Sequence, residues 1–234
     1  MKMPSFLSNL ANRDEWVIQE LGKLPNGSTL LDAGAGECRY KPYCRNLVYT
    51  SQDFGRYDGQ GNEKGMQMGS WDNSKLDVIS DITNIPVENE SFDVVLCTEV
   101  LEHIPYPDRA IKEFSRILKS GGKLILTAPF CSMTHFAPFH YCTGFNIYWY
   151  REILASNGLE LISYCNNGNY FDYVCQELAR SPLTLKMYSG VGILAYLLYI
   201  VVVPTSFVLH LLSKLTSGSG ELMTFGYHVL ARRK

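Results

Sequence analysis

Short apolar runs alternate with amphipathic stretches along most of this chain. In segment 13–24, Val17, Leu21 and Leu24 share one helical face, and Pro25-Asn26-Gly27 ends the helix. A first strand is predicted over 29–33 and a second from Leu47 to Asp53, closing on an acid. The glycine-rich, polar stretch 55–74 reads as an irregular surface loop, and a third strand, 76–80, ends in Ser80-Asp81-Ile82. Phe92 to Cys97 is a short strand of the buried, parallel kind. Residues 107–119 form an amphipathic helix carrying Ala110, Ile111, Phe114, Ile117 and Leu118, with Gly121-Gly122 as its stop. A strand from Lys123 to Ala128, a helix over 147–157 and a sixth strand from Leu159 to Cys165 follow, and 225–231 again looks like a strand. Strands alternating with helices predict an α/β fold with a doubly wound, mostly parallel sheet.

Length and composition narrow the class. With 234 residues the chain suits one sizeable α/β domain with an insertion, read as a single domain over 1–234. A net charge of -2 gives no basic field for a phosphate backbone, so nucleic acid is not expected as a partner. The seven cysteines are scattered, with no Cys-x-x-Cys or Cys-x-x-His pair, so no metal site is expected. An odd number of thiols spread through core segments fits a reduced, cytoplasmic protein. The start, Met-Lys-Met-Pro-Ser-Phe-Leu-Ser-Asn-Leu, lacks the apolar run of a signal peptide and reads as a cytoplasmic N-terminus.

The chemistry sits at strand ends, where open α/β sheets bind ligands. Asp32, Gly34 and Gly36 follow strand one, and glycine lets a ligand approach the main chain closely. Strand two ends at Asp53, an acid able to accept both hydroxyls of a ribose. Strand three ends at Asp81, which can accept from an adenine amino group while Ile82 packs the ring. Each acid alone could be a helix cap or turn former; arriving in this order, they point to a nucleotide-like ligand. A nicotinamide-dependent dehydrogenase would need glycine at position 39, where Arg39 stands.

The text Leu30-Leu-Asp-Ala-Gly-Ala-Gly36, Asp53, Asp81-Ile-Thr-Asn-Ile-Pro86, Glu90-Ser-Phe-Asp-Val-Val-Leu96, Glu99-Val-Leu-Glu-His103 and Ile117-Leu-Lys-Ser-Gly-Gly-Lys-Leu124 resembles the class I S-adenosylmethionine-dependent methyltransferases, especially the type 11 group. The resemblance covers roughly 28–165, taken as the cofactor-binding core. It implies a Rossmann-like, seven-stranded sheet with S-adenosyl-L-methionine as cofactor. Asp32, Gly34 and Gly36 would lie at its methionine moiety, Asp53 at the ribose, and Asp81 with Ile82 at the adenine. Thr98 and Glu99 would face cofactor or acceptor. The family usually carries a third glycine where this chain has Cys38.

Past strand five, Thr134-His135-Phe136-Ala-Pro-Phe-His140-Tyr141 is the candidate acceptor loop. His140 is the first choice as general base and His135 the second, with Tyr141 as an orienting donor; a packed aromatic loop is the plain alternative. His103 reads as structural. The expected acceptor is a small molecule, lipid-linked intermediate or glycan precursor, methylated on oxygen. The other class of reading is a non-catalytic binding or scaffold domain.

From Gly190 to Leu212 no Lys, Arg, Asp or Glu occurs, within a helical, apolar insertion over 170–216 that precedes the last strand, 221–233. That run is long enough to span a bilayer. In the resembled fold, however, the last strand rejoins the sheet, and one crossing would put it on the wrong side. Pro204 is expected to divide the run into Gly190–Val203 and Thr205–Leu215, a helical hairpin flanked by Lys186 and Lys214. Membrane-surface contact, at the inner face of the membrane, or an apolar lid is favoured over a span. A subunit interface and an extra helical layer are the alternatives.

Overall fold

The computed structural model describes residues 8–234. The polar start at 1–7, read above as a cytoplasmic N-terminus, lies outside the described residues. Contacts divide the chain into two compact units: 13–165 with 226–234, and, of the described residues, 8–12 with 166–225.

The larger unit is built on the sheet. Its strands are β1 (Thr29–Ala33), β2 (Val48–Asp53), β3 (Val78–Ile79), β4 (Phe92–Thr98), β5 (Leu118–Pro129), β6 (Leu159–Asn167) and β7 (Gly226–Arg233), in the order β3-β2-β1-β4-β5-β7-β6. The pairs among β1 to β5 are parallel, and β7 runs antiparallel to β5. The sheet is therefore seven-stranded, mostly parallel and Rossmann-like, with the last strand returned to it.

Alternation along each strand divides the apolar side chains between two faces. Leu31, Ala33, Val95, Cys97, Leu124 and Leu126 pack with Ile111, Phe114 and Ile117 of α2 (Pro107–Ile117) and Tyr150 and Leu154 of α3 (Ile147–Ser156). Leu30, Val94, Leu96 and Ile125 pack on the opposite face with Val17 and Leu21 of α1 (Asn9–Gly22). A sheet covered on both faces explains why its central strands are mostly apolar rather than alternating.

Two boundaries depart from the sequence reading. The helix predicted over 107–119 ends at Ile117, because Leu118 already pairs with Phe92 across the sheet; Gly121 (φ 77°) then lies within β5 rather than stopping a helix. The third strand is only two residues long. The Asp77 carboxylate accepts the Ser51 N–H and the Ser51 hydroxyl, both at 2.8 Å, and so takes the place of ladder bonds there.

In the smaller unit, α4 (Tyr170–Ser189) and α5 (Gly192–Leu215) form an antiparallel pair. Asn169 caps α4 through the N–H groups of Phe171 and Asp172, and its amide also donates to the Ser213 carbonyl at 3.0 Å. The hairpin expected around Pro204 is corrected here. Helix α5 runs through Pro204, and the turn falls at Gly190 (φ 68°), between α4 and α5. A proline forfeits one N–H and crowds one carbonyl, a local loss of about 3 kcal/mol that a helix packed along its length tolerates. Gly190, by contrast, supplies the left-handed backbone a helix end uses.

Candidate active site

A cavity of about 410 Å³ opens at the carboxyl ends of the parallel strands. Gly34 and Gly36 form its floor. The Gly34 and Ala35 N–H groups donate to the Gln52 carbonyl, at 2.8 and 2.9 Å, folding the chain sharply after β1. Both glycines have positive φ (76° and 51°). A Cβ on Gly34 would lie 2.4 Å from Val100, and one on Gly36 2.5 Å from the Trp71 ring. Only glycine fits either position. Cys38, standing where the resembled family has a third glycine, also adopts a left-handed backbone (φ 59°) and is buried.

Asp53 ends β2 and lines the cavity. Its carboxylate accepts the Gly36 N–H at 3.1 Å and the Gly55 N–H at 2.9 Å. Burial raises its pKa, opposed by these backbone donors. Asp81 and Ile82 lie on the same wall, with the Asp81 carboxylate turned back on the Thr83 N–H at 2.8 Å. The five residues Gly34, Gly36, Asp53, Asp81 and Ile82 thus face one space.

Asp32, Thr98 and Glu99 do not line it. Asp32 is buried beneath the turn, where one carboxylate oxygen accepts the Tyr49 hydroxyl at 2.6 Å and the other has no hydrogen-bond partner. Burial drives its pKa up to about 7, against the Tyr49 bond and with help from the Asp53 charge. Glu99 turns away, accepting the Thr127 hydroxyl at 3.0 Å and pairing with Arg13 at 2.9 Å. Thr98 closes β4, half-buried.

The opposite wall is aromatic. Tyr57 stacks on Phe136 (centroids 4.3 Å apart), and Trp71 meets both rings edge-on. The segment read as a surface loop, 55–74, supplies Arg56, Tyr57 and Trp71 to the lining. It is strapped to the 134–137 segment by three backbone bonds: Asn62 N–H to Ala137, Met66 N–H to Thr134 and Phe136 N–H to Met66. Two large aromatics inside an otherwise polar, glycine-rich stretch were the available signal for this role.

Of the acceptor-loop candidates, Tyr141 lines the cavity, whereas His135 and His140 are not part of its lining. His103 lines it too, and its ring touches both, with centroid separations of 4.6 and 5.8 Å. His103 Nδ1 meets the Phe139 carbonyl at 2.5 Å and His135 Nδ1 the Met133 carbonyl at 2.8 Å, so each ring donates there and presents Nε2 elsewhere. Both Nε2 atoms face Glu102 Oε1, at 3.7 and 3.9 Å. Glu102 is 1% exposed and neither of its oxygens accepts a hydrogen bond; burial and then the Glu99 charge hold its pKa well above the carboxylate range. Burial first, then His135, pushes His103 down to about 3, and the same two causes lower His140.

No metal site was expected, because the scattered cysteines form no ligand pair. Folding nonetheless brings the ligand atoms of Glu102, His103 and His135 within 4.8 Å of one another, a donor set able to hold a divalent cation. Sequence spacing hid it, because His135 arrives from a different strand end.

Residues 31–126 match the family model described as a methyltransferase domain. Over that stretch, about two fifths of its length, the chain is similar to methyltransferase domains. A stretch of 66 residues is 42% identical to the sterol 4-C-methyltransferase strm-1 of Caenorhabditis elegans, covering 28% of this chain and 20% of that protein. A stretch of 47 residues is 40% identical to a ubiquinone biosynthesis O-methyltransferase of Coxiella burnetii, covering 20% of each. These matches span about a fifth of the relatives' lengths. The domain's fold is similar to that of the [4+2]-cyclase SpnF, with TM-score 0.55 and 19% identity over 95% of this chain and 80% of that one.

Proposed function

We propose that the chain is an S-adenosyl-L-methionine-dependent methyltransferase acting on an oxygen of a small-molecule or lipid-type acceptor. The observation that carries this reading is the single cavity lined by Gly34, Gly36, Asp53, Asp81 and Ile82. In this reading the glycine turn receives the methionine end of the cofactor, Asp53 the ribose hydroxyls, and Asp81 with Ile82 the adenine. Bound there, the sulfonium supplies an electrophilic methyl group, and the protein's tasks are alignment, exclusion of water and removal of the acceptor's proton.

Two imidazoles beside the aromatic wall, His103 and His140, are held below the usual histidine range by burial, which supports an acceptor that must lose a proton, as a hydroxyl must. His140 is the better base. It is half-buried, with Nε2 3.1 Å from the Ser132 hydroxyl, whereas burial leaves His103 too weak an acceptor near neutrality. Tyr141 beside it, in the cavity wall, is the orienting donor. The relatives named above for sterol and ubiquinone-pathway methylation add support for an apolar acceptor.

A second reading, binding without methyl transfer, is favoured by one observation: the fold is shared with a protein described as a cyclase, so the fold does not fix the chemistry. Calorimetric titration with S-adenosylmethionine and S-adenosylhomocysteine, with NADH as control, tests the cofactor assignment, and conversion of the first into the second with a supplied acceptor separates the two readings. Binding of the first two alone, at roughly micromolar Kd, is expected. No binding of either to a folded sample free of carried-over ligand overturns the cofactor assignment.

A further inference from the structure

The exposed face of α5 has no role in that chemistry. Between Lys186 and Lys214 the chain has no Asp, Glu, Lys or Arg. Helix α5 is 24 residues long; its most apolar 18 residues have a mean hydropathy of 2.2, and only 17% of them are buried. Its exposure is inverted relative to a helix of a water-soluble domain. The stripe that is buried holds Ala195, Val202, Ser206 and Ser213. The bulky residues are outside: Ile193, Ile200, Val203 and Phe207 are each more than 60% exposed.

We infer that α5 lies in the plane of a lipid bilayer surface, with this outer face sunk among the acyl chains and α4 as its water-facing backing.

A transmembrane path is ruled out by connectivity. Strands β6 and β7 belong to the same sheet, so the chain must leave and return on one side. Helix α4 cannot accompany α5 across a bilayer, because it carries Asp172, Glu177, Arg180 and Lys186. A hairpin inserted tip-first is also disfavoured. The helices are held in register by Asn169 on Ser213 and by the Cys175 thiol on the Ser206 carbonyl at 3.4 Å. Continued toward the turn, that register sets Lys186 beside the first turns of α5, while Lys214 marks its other end. A basic residue thus stands near each end of an uncharged helix about 36 Å long. With the helix lying flat, both lysines sit at one depth and reach the anionic headgroups of the same leaflet. Tyr188, Tyr196 and Tyr199, all exposed, suit the same boundary.

The test is flotation of the full chain with phosphatidylcholine vesicles containing phosphatidylglycerol, against vesicles of phosphatidylcholine alone. The expected result is recovery with the vesicles, stronger with the anionic lipid, and a drop of about tenfold or more in bound protein for Ile200→Asp with Phe207→Asp. Both positions are exposed, so the variant should keep its circular dichroism and thermal transition. Single tryptophans in place of Ile193, Tyr199 or Leu211 should be quenched alike by lipids brominated at one shallow depth. Three outcomes overturn the inference: protein that stays at the bottom of the gradient, flotation unchanged by the double substitution, or a steep gradient of quenching from 193 to 211. A dimer that the same substitutions dissociate, without flotation, assigns the face to a second copy instead.

Discussion

Asp32→Asn tests whether the buried acid under the glycine turn strains the ligand-free protein. The wild-type carboxyl has one partner, the Tyr49 hydroxyl, and an unpaired oxygen, and its pKa rises from 3.8 to about 7. Between those values the folded chain holds a proton that the unfolded chain has released. Stability attributable to this group therefore falls as pH rises from 3.8 to about 7 and levels off above the folded value. That difference corresponds to roughly 4 kcal/mol at its largest. Asparagine has no such titration, though its amide leaves a buried donor that costs about 1–3 kcal/mol at every pH. The variant should start below wild type at pH 4, and the gap should move in its favour by several kcal/mol up to pH 8. The assay is urea denaturation of ligand-free wild type and variant at intervals across that range. A gap constant to within about 0.5 kcal/mol, or one that moves toward wild type as pH rises, refutes the argument. Tyr49→Phe, which removes the opposing hydrogen bond, should lose most stability above pH 7.

Two further outcomes follow from the glycine turn. Asp53→Ala removes the acceptor for the Gly36 and Gly55 N–H groups as well as the proposed ribose contact, so titration should give cofactor affinity at least tenfold weaker, about 1.4 kcal/mol; unchanged affinity removes Asp53 from the site. At Cys38, φ 59° favours glycine, so Cys38→Gly should be more stable than Cys38→Ala by about 1 kcal/mol in urea, the reverse of an ordinary position.

The sheet was legible because its evidence is local. Each central strand is a short run such as Phe92 to Cys97 that can only be buried on both faces, and each strand-end acid follows its own run directly. Errors came where tertiary contacts outbid local pattern. Leu118 satisfies a helical period and a strand pairing equally, and the neighbouring Phe92 decides between them. Pro204 reads as a break from sequence alone, but a helix held along α4 absorbs it, and the chain turns at Gly190.

The site divides along the same line. Gly34, Gly36, Asp53, Asp81 and Ile82 meet because parallel strands deliver their C-terminal ends to one edge, so reading strand ends in order suffices to find them. The aromatic side has no such rule. Tyr57 and Trp71 reach the cavity only because Gly59, Gly61 and Gly65 let their loop close to contact with backbone at Ser70, Ala137 and Thr134, leaving no room for a Cβ. His103 joins His135 only because Phe139 and Met133 carbonyls fix the two rings over Glu102. Those placements depend on loop-to-loop contact across seventy residues of sequence, which periodicity does not encode. The aromatic, loop-built half of the cavity is therefore the half whose chemistry this chain can change without disturbing its sheet.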